Sequence, residues 1–240
     1  MQSIKKLFRN AYTGEDIYSS ASYQDRVWEY TTEYVGRTLN FQGFGKTAVV
    51  IGNGISRLDF NLSELKKSNV KKRIQTYGCN ALYKDFTPDF LICTRPKIIK
   101  EVAQSDYSNT NVVYATGSAI LEYPGAFHLI PQDPKWNSGS LATYLACFDG
   151  FHKVYLIGFD GNDTPNTVNN VYVDLPSYSS TVDQNDSFMS LTMGQVFKTY
   201  PLVDFVLVNS TGRGYMPASW YGHTNLRRIS FRDLVLECDL

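Results

Sequence analysis

Two glycine pairs flank the apolar run of Gly43-Phe44-Gly45-Lys46-Thr47-Ala48-Val49-Val50-Ile51-Gly52-Asn53-Gly54-Ile55-Ser56. Each is of a type that can wrap backbone N–H groups around a phosphate. A P-loop places its Gly-Lys-Thr after a strand and at the opening of a helix, so that the helix N-terminus aims N–H groups at the anion. Gly45-Lys46-Thr47 comes before the apolar run instead, and Asn40 stands where that pattern asks for a further glycine. The first pair therefore reads as a turn into a strand. The second pair is better placed, because Ala48-Val49-Val50-Ile51 reads as a buried strand and Gly52-Asn53-Gly54 follows at its carboxyl end. A dinucleotide fingerprint would need a third glycine where Arg57 stands, and an acidic residue closing the next strand. That strand, residues 73–77, closes in Gly78-Cys79-Asn80. NAD is disfavoured and a mononucleotide stays open, with a plain tight turn as the bland alternative.

The elements that must position this turn follow from residue 47 onward. Strands read at 47–52, 72–78, 89–94, 111–116, 153–160 and 203–208, with a short one at 127–130. Helices read at 80–86, 96–104 and 187–199, and a further helix opens at Asn137-Ser138-Gly139 with Leu141, Tyr144, Leu145 and Phe148 at helical spacing, stopping at Gly150. This alternation predicts an α/β fold, a Rossmann-like open and mainly parallel sheet with helices on both faces. Residues 1–45 show no sustained periodicity and carry Phe8, Tyr12, Tyr18, Tyr23, Trp28, Tyr30 and Tyr34. They are expected as an irregular N-terminal arm that packs on its own domain or on a partner, ahead of one domain over 46–240. Residues 161–186 form a long polar loop of the kind that serves as a lid.

Ligands of open parallel sheets bind beyond the carboxyl ends of the strands. The residues expected there are Gly52, Asn53, Gly54 and Ser56, then Asn80, then Thr94 and Arg95, then Asn137, Ser138 and Gly139 at a helix start, and finally Asp160. Hydroxyl and backbone donors suit a phosphate, and asparagine side chains offer both donor and acceptor to a base or ribose. Each also has a bland reading: Asn53 as a turn residue, Asn80 and Ser138 as helix caps, Asp160 as a strand-end cap. Their convergence on one sheet edge favours a site.

Bulk properties bound the partners. The 240 residues suit one sizeable core, and 43% hydrophobic with 19% charged residues is ordinary for a soluble globule. Lys plus Arg equals Asp plus Glu at 23 each, which argues against broad electrostatic binding of nucleic acid or membranes. The basic cluster Lys66, Lys67, Lys71, Lys72 and Arg73 reads as a solvated connection. No apolar stretch is long enough to span a bilayer and no signal core follows the N-terminus, so a cytoplasmic location is expected. Cys79, Cys93, Cys147 and Cys238 lack paired spacing, so neither a metal site nor a disulfide framework is expected. No cofactor is called for. The 17 tyrosines and 14 phenylalanines suit packing and ring stacking alike.

The segments "VVIGNGIS", "YGCNALY" and "WNSGSLATYLACFDGFHKVYLIGFDGND" resemble the bacterial sialyltransferases of glycosyltransferase family 42. They are similar as well to Rossmann-like proteins of marine tailed phages, over roughly residues 47–175 in order and register. The resemblance implies a cytidine monophosphate site, with Asn53, Gly54 and Ser56 toward phosphate or ribose, Asn80 and Thr94 toward the nucleoside, and Ser138, Gly139 and Asp160 on the ribose and base side. Ile55 replaces the family proline, Asn137 replaces threonine, and Gly161-Asn162-Asp163 replaces an aromatic pair. The family's histidine base would follow Asp160, where the next histidine in this chain is His223.

Two functions follow as expectations. One is a glycosyltransferase-like protein binding a cytidine nucleotide or nucleotide sugar, with His223 as base and Tyr172 and Tyr178 as leaving-group acids if it is active. The other is a phage structural or accessory virion protein without catalysis, located in the host cytoplasm or the virion and assembling as a homo-oligomer or into a virion through its arm. His128 and His152 read as structural.

Overall fold

The computed structural model describes residues 2–10, 15–24, 27–37, 47–67, 74–130, 135–160, 169–178 and 186–240, with the first three segments and residues 186–187 as backbone only. The Gly43/Gly45 turn, residues 71–73 of the basic cluster and residues 161–168 and 179–185 of the polar loop lie outside the described residues. The segment expected as an irregular arm forms three strands, β1 (Gln2–Asn10), β2 (Glu15–Gln24) and β3 (Val27–Arg37), paired antiparallel in succession. The strand signal there is the placement of Trp28, Tyr30, Thr32 and Tyr34 at every second position, a period of two within an otherwise mixed stretch.

Eight further strands follow: β4 (Ala48–Ile51), β5 (Gln75–Cys79), β6 (Phe90–Cys93), β7 (Val112–Ala115), β8 (His128–Leu129), β9 (Lys153–Ile157), β10 (Asp204–Asn209) and β11 (Leu226–Ser230). All pair in parallel, in the order β11-β10-β9-β4-β5-β6-β7-β8, and β8 pairs in parallel with β1 to carry β2 and β3 at the far edge. The helices are α1 (Glu64–Lys67), α2 (Pro96–Gln104), α3 (Tyr107–Thr110), α4 (Gly117–Glu122), α5 (Ser138–Phe148), α6 (Asp186–Thr199) and α7 (Phe231–Cys238). Expected and observed elements agree closely from β4 to β10. The expected helix at 80–86 is a 3-10 turn, Asn80–Lys84. The strand β11 and the short helix α4 lie outside the sequence expectation, because Arg227 and Arg228 break the apolar pattern of the one and the other is under two turns long.

Every residue of β4 and β5 is buried, as a parallel strand covered on both faces requires. Alternate residues feed two cores. Val50, Leu156 and Leu207 meet α5 and α6 through Leu141, Leu145, Met193 and Phe197. Val49, Ile51, Ile157 and Val206 meet α2 and α7 through Ile98, Val102 and Leu234. Local signals set the helix starts. Pro96 opens α2, the Asn137 side chain accepts from Ser140 N–H at α5, and Ser230 with Asp233 forms a capping box on α7. No described helix is long and apolar enough to cross a membrane.

The chain starts its parallel run at β4, builds outward through β5 and β6, then returns to place β9 on the other side of β4. The six strands from β6 to β11 thus have the doubly wound order, and the reversal falls between β4 and β9. Loops leaving these two neighbours depart from the same edge, the one at which doubly wound sheets take their ligands.

Gly158, which follows β9, has φ 72 and a Cβ on it would lie 3.0 Å from Gly52 O and 3.2 Å from Gly54 N. Gly125 has φ 85 with nothing within 4 Å of a Cβ. Gly125→Ala should therefore cost only the left-handed strain, about 1 kcal/mol. Gly158→Ala should cost about 2–4 kcal/mol, since it adds a clash with backbone that cannot yield. Denaturant unfolding of the two variants checks this, and equal losses would mean that the loops after β4 and β9 separate without cost.

Candidate functional site

Gly52 N–H donates to Ile157 O at 2.7 Å, and Gly54 N–H donates to Gly158 O at 3.0 Å. A Cβ on Gly52 would lie 2.4 Å from Gly158 O, and one on Gly54 would lie 2.5 Å from Asp160 Oδ2. The glycines are thus required where two loops touch. Beyond them, Ser56 N–H donates to Asp160 Oδ2 at 2.8 Å, the Ser56 hydroxyl donates to Asp160 Oδ1, and Ile55 N–H donates to Asn169 Oδ1 at 2.8 Å. The N–H groups of Gly52, Gly54, Ile55 and Ser56 therefore all have protein partners, and the carboxylate of Asp160 occupies the anion position at the start of the 3-10 turn Ile55–Asp59.

On the β5 side of this junction the rim is filled. Asn53 Nδ2 donates to Cys79 O at 3.3 Å and to the Tyr178 hydroxyl at 3.2 Å, while its Oδ1 is buried with no hydrogen-bond partner. Asn80 sits at φ 49 and is buried. Its Nδ2 donates to Ser138 Oγ at 2.6 Å, and its Oδ1 accepts from Thr94 N–H at 3.1 Å and Arg95 N–H at 3.4 Å. It ties the ends of β5 and β6 to the start of α5. Asn137 bonds Ser140 and Thr192, and Gly139 leaves room for the Phe159 ring, 3.0 Å from where its Cβ would be. The Cys79 thiol is pushed up to about 11 by burial, so it is a neutral thiol at neutral pH.

Residues 169–178 pack over that half. Val171 N–H donates to Asn53 O at 2.8 Å, and the Arg95 guanidinium lies 4.5 Å from the centroid of the Tyr178 ring. Arg57, the residue in the missing-glycine position, is 2% exposed and donates through Nη2 to Asp85 Oδ2 at 2.8 Å and to the Tyr172 hydroxyl at 2.6 Å. The Tyr172 hydroxyl in turn donates to Asp85 Oδ1. Burial first, and then the bond to Asp85, raises the Tyr172 hydroxyl above its ordinary range, and burial does the same to Tyr178. Both hydroxyls stay protonated inside the packing network.

Among the described residues, an open part of the rim lies on the other side, beyond β9 and β10. A cleft of about 350 Å³ is bounded there by Ser56, Phe159, Asp160 and Asn169 on one wall, and by Asn209, Thr211 and Tyr215 on the other. Of the nucleotide-site residues expected from sequence, Ser56 and Asp160 line this cleft, and Gly52 and Gly54 hold the loop beside it. Asn53, Asn80, Thr94, Asn137, Ser138 and Gly139 gather on the filled side. Asn209, Ser210, Thr211 and Tyr215 escaped the sequence reading, although Asn-Ser-Thr-Gly directly after a strand is the same kind of strand-end signal as Gly52-Asn53-Gly54.

The histidines are elsewhere. His223 precedes β11, a parallel strand, and so stands at the amino-end edge of the sheet, about 15 Å along the strands from the rim. Its ring meets Phe197 edge-on at 5.3 Å, and burial, followed by Lys198, lowers its basicity. A loop that leads into a parallel strand must return to the opposite edge, which is why following β10 in sequence does not bring His223 to the rim. His152 precedes β9 on that same edge, and His128 lies in β8 beside Tyr114, four strands from β4.

Asp85→Ala strands the buried Arg57 charge with Tyr172 as its remaining partner. The variant should lose about 2–3 kcal/mol, less than a fully buried pair because the Asp85 side chain is 45% exposed. Arg57→Met combined with Asp85→Ala should regain part of that loss, since no unpaired charge remains. Urea unfolding reads both; a double variant less stable than Asp85→Ala alone would show that Arg57 acts here by packing and not by charge.

No protein-family model matches the chain, and no curated protein matches it. Among solved structures, the crystal structure of a variant of the sialyltransferase CST-II in complex with CMP is similar over 81% of this chain and 98% of that one, with TM-score 0.42 and 12% identity. At that level the similarity assigns no residue a role.

Proposed function

We propose that this chain is a glycosyltransferase-like protein that binds a cytidine nucleotide or nucleotide sugar at the carboxyl-end rim of its sheet. The observation that carries the reading is the cleft beside the β4–β9 switch, where Ser56 and Asp160 meet on adjoining loops. Doubly wound sheets take ligands at that position. Asp160 offers a ribose the acceptors it needs, and a dinucleotide is disfavoured because buried Arg57 replaces the third glycine of the fingerprint, the one that lets the helix pack closely on the strand. Transfer of a sugar needs a base within hydrogen-bond reach of the acceptor hydroxyl. With all three histidines away from the rim, transfer from CMP-sialic acid is expected to be absent or very weak.

CMP should raise the melting temperature more than NAD or ATP at equal concentration, by an amount equivalent to about 2.7 kcal/mol at a hundredfold excess over Kd. Asp160→Ala should abolish the shift while the unliganded variant stays folded. A larger shift with NAD, or a full CMP shift in Asp160→Ala, overturns the assignment.

A second reading, a phage virion or accessory protein that keeps the fold without chemistry, is favoured by one observation. Strand β3 is the outer edge among the described strands, and an edge strand presents unpaired N–H and C=O groups to a further chain. On this reading, deletion of residues 1–40 dissociates an assembly that light scattering detects in the full chain. A full chain that is monomeric and unaffected by the deletion removes it.

A further inference from the structure

The cleft has a charge pattern that restricts what enters it. Its apolar surface comes from Phe159, Leu207 and Val208, with Ile55 and Tyr215 at the edge, 50% and 42% exposed. Its polar surface comes from hydroxyls and amides together with Asp160. Among the described lining residues Asp160 is the one ionisable carboxylate, and lysine, arginine and histidine are absent. Arg213 is exposed and outside the lining, between Thr211 and Gly214, which belong to it.

A phosphate in this space would meet a carboxylate without a cation to offset it, and the lining N–H groups of Ile55, Ser56, Thr211 and Gly214 are already bonded within the protein. An uncharged ring with neighbouring hydroxyls meets no such penalty. Each Asp160 oxygen accepts one bond from Ser56, which leaves further lone pairs on both oxygens. Asn209 spends its Oδ1 on the N–H groups of Thr211 at 3.2 Å and Gly214 at 3.4 Å, fixing the turn, and its Nδ2 donates to no described residue. The exposed aromatic surface of Tyr215 suits the flat or C–H face of a ring.

We propose that this cleft holds an uncharged ring bearing a vicinal diol, a ribose or a pyranose, with Asp160 accepting from the diol, Asn209 Nδ2 donating to a ring substituent and Tyr215 packing on the ring, while phosphate stays outside. The inference deepens the nucleotide reading and rests on it for which end of the ligand enters. Ribose and pyranose share the diol, and the ligands of the test separate them.

Calorimetric titration with cytidine, 2′,3′-dideoxycytidine, methyl galactoside, CMP and inorganic phosphate provides the test. Cytidine or the galactoside should bind, and the tighter of the two names the source of the ring. Should cytidine be the binder, removal of its diol should weaken binding about tenfold or more, as loss of hydrogen bonds to a charged acceptor does. Inorganic phosphate should give no heat of binding. Tyr215→Ala should weaken the bound ring about tenfold and Tyr215→Phe should keep it within about threefold, because the packing surface is retained. Since Tyr215 is exposed, both variants should fold, and circular dichroism verifies this. Phosphate binding in the cleft, or dideoxycytidine binding as tightly as cytidine, overturns the proposal. CMP binding that Tyr215→Ala leaves untouched overturns the ring site and keeps the nucleotide reading. Galactoside binding sensitive to Tyr215, without a response to cytidine or CMP, keeps the ring site and overturns the nucleotide reading. Absence of binding by every ligand overturns both.

Discussion

The contact between the loops that leave β4 and β9 is the constraint from which the rest of the rim follows. Two backbone hydrogen bonds, from Gly52 to Ile157 and from Gly54 to Gly158, bring main chain against main chain at a distance only glycine permits. Because the chain reverses its direction of sheet growth at this pair of strands, their loops are the ones that can define a crevice. Once the loops touch, Ser56 falls within bonding distance of Asp160, and the 3-10 turn after β4 is fixed in place. That turn carries Phe60 onto Phe231 of α7, at 5.1 Å between ring centroids, so the rim is tied to the core layer beneath it.

The same contact divides the rim into two halves with different chemistry. Toward β5 and β6, side-chain amides are used to join secondary-structure ends: Asn80 alone binds the termini of two strands and a helix. Asn80 is satisfied at both ends in this role, whereas the buried Oδ1 of Asn53 on the same half has no partner, an arrangement that costs about 1–3 kcal/mol. Residues 169–178 cover this half, and the buried Arg57 gives them a charged anchor through Asp85 and Tyr172. Toward β10, the strand ends are left open and the wall is a turn organised by Asn209. One half is mainly structural cement, and the other has the space.

Charge then discriminates among ligands where shape alone would not. The described lining of the open half holds a carboxylate and no cation, so it favours hydroxyls over phosphate oxygens, whereas helix N-termini and basic residues are what anion sites ordinarily use. The rim also lacks an imidazole, the side chain that titrates near neutral pH without environmental tuning. Tyr172 and Tyr178 do not replace it as a base, because burial holds their hydroxyls protonated; expected as leaving-group acids, they are bonded to Arg57, Asp85 and Asn53 within the packed half.

The sequence by itself determined the layered α/β architecture. Apolar runs such as Ala48-Val49-Val50-Ile51 and the helical spacing of Leu141, Tyr144, Leu145 and Phe148 are local patterns, and burial on one or both faces follows from them directly. It also placed Ser56 and Asp160 on one edge, because strand-end position in a parallel sheet is legible from strand boundaries. The alternation at Trp28, Tyr30, Thr32 and Tyr34 was equally local, yet it does not say that β1 pairs with β8, a partner more than a hundred residues away. Only the tertiary structure decided what each polar group does. Whether Asn53, Asn80 or Ser138 faces a ligand or a neighbouring strand end depends on which loops touch, and that is set by strand order. The position of His223 was decided in the same way, since the parallel pairing of β11 with β10 sends the preceding residues to the far edge. Side-chain type fixes which hydrogen bonds a residue can make, and the long-range topology fixes which of them the protein has already used.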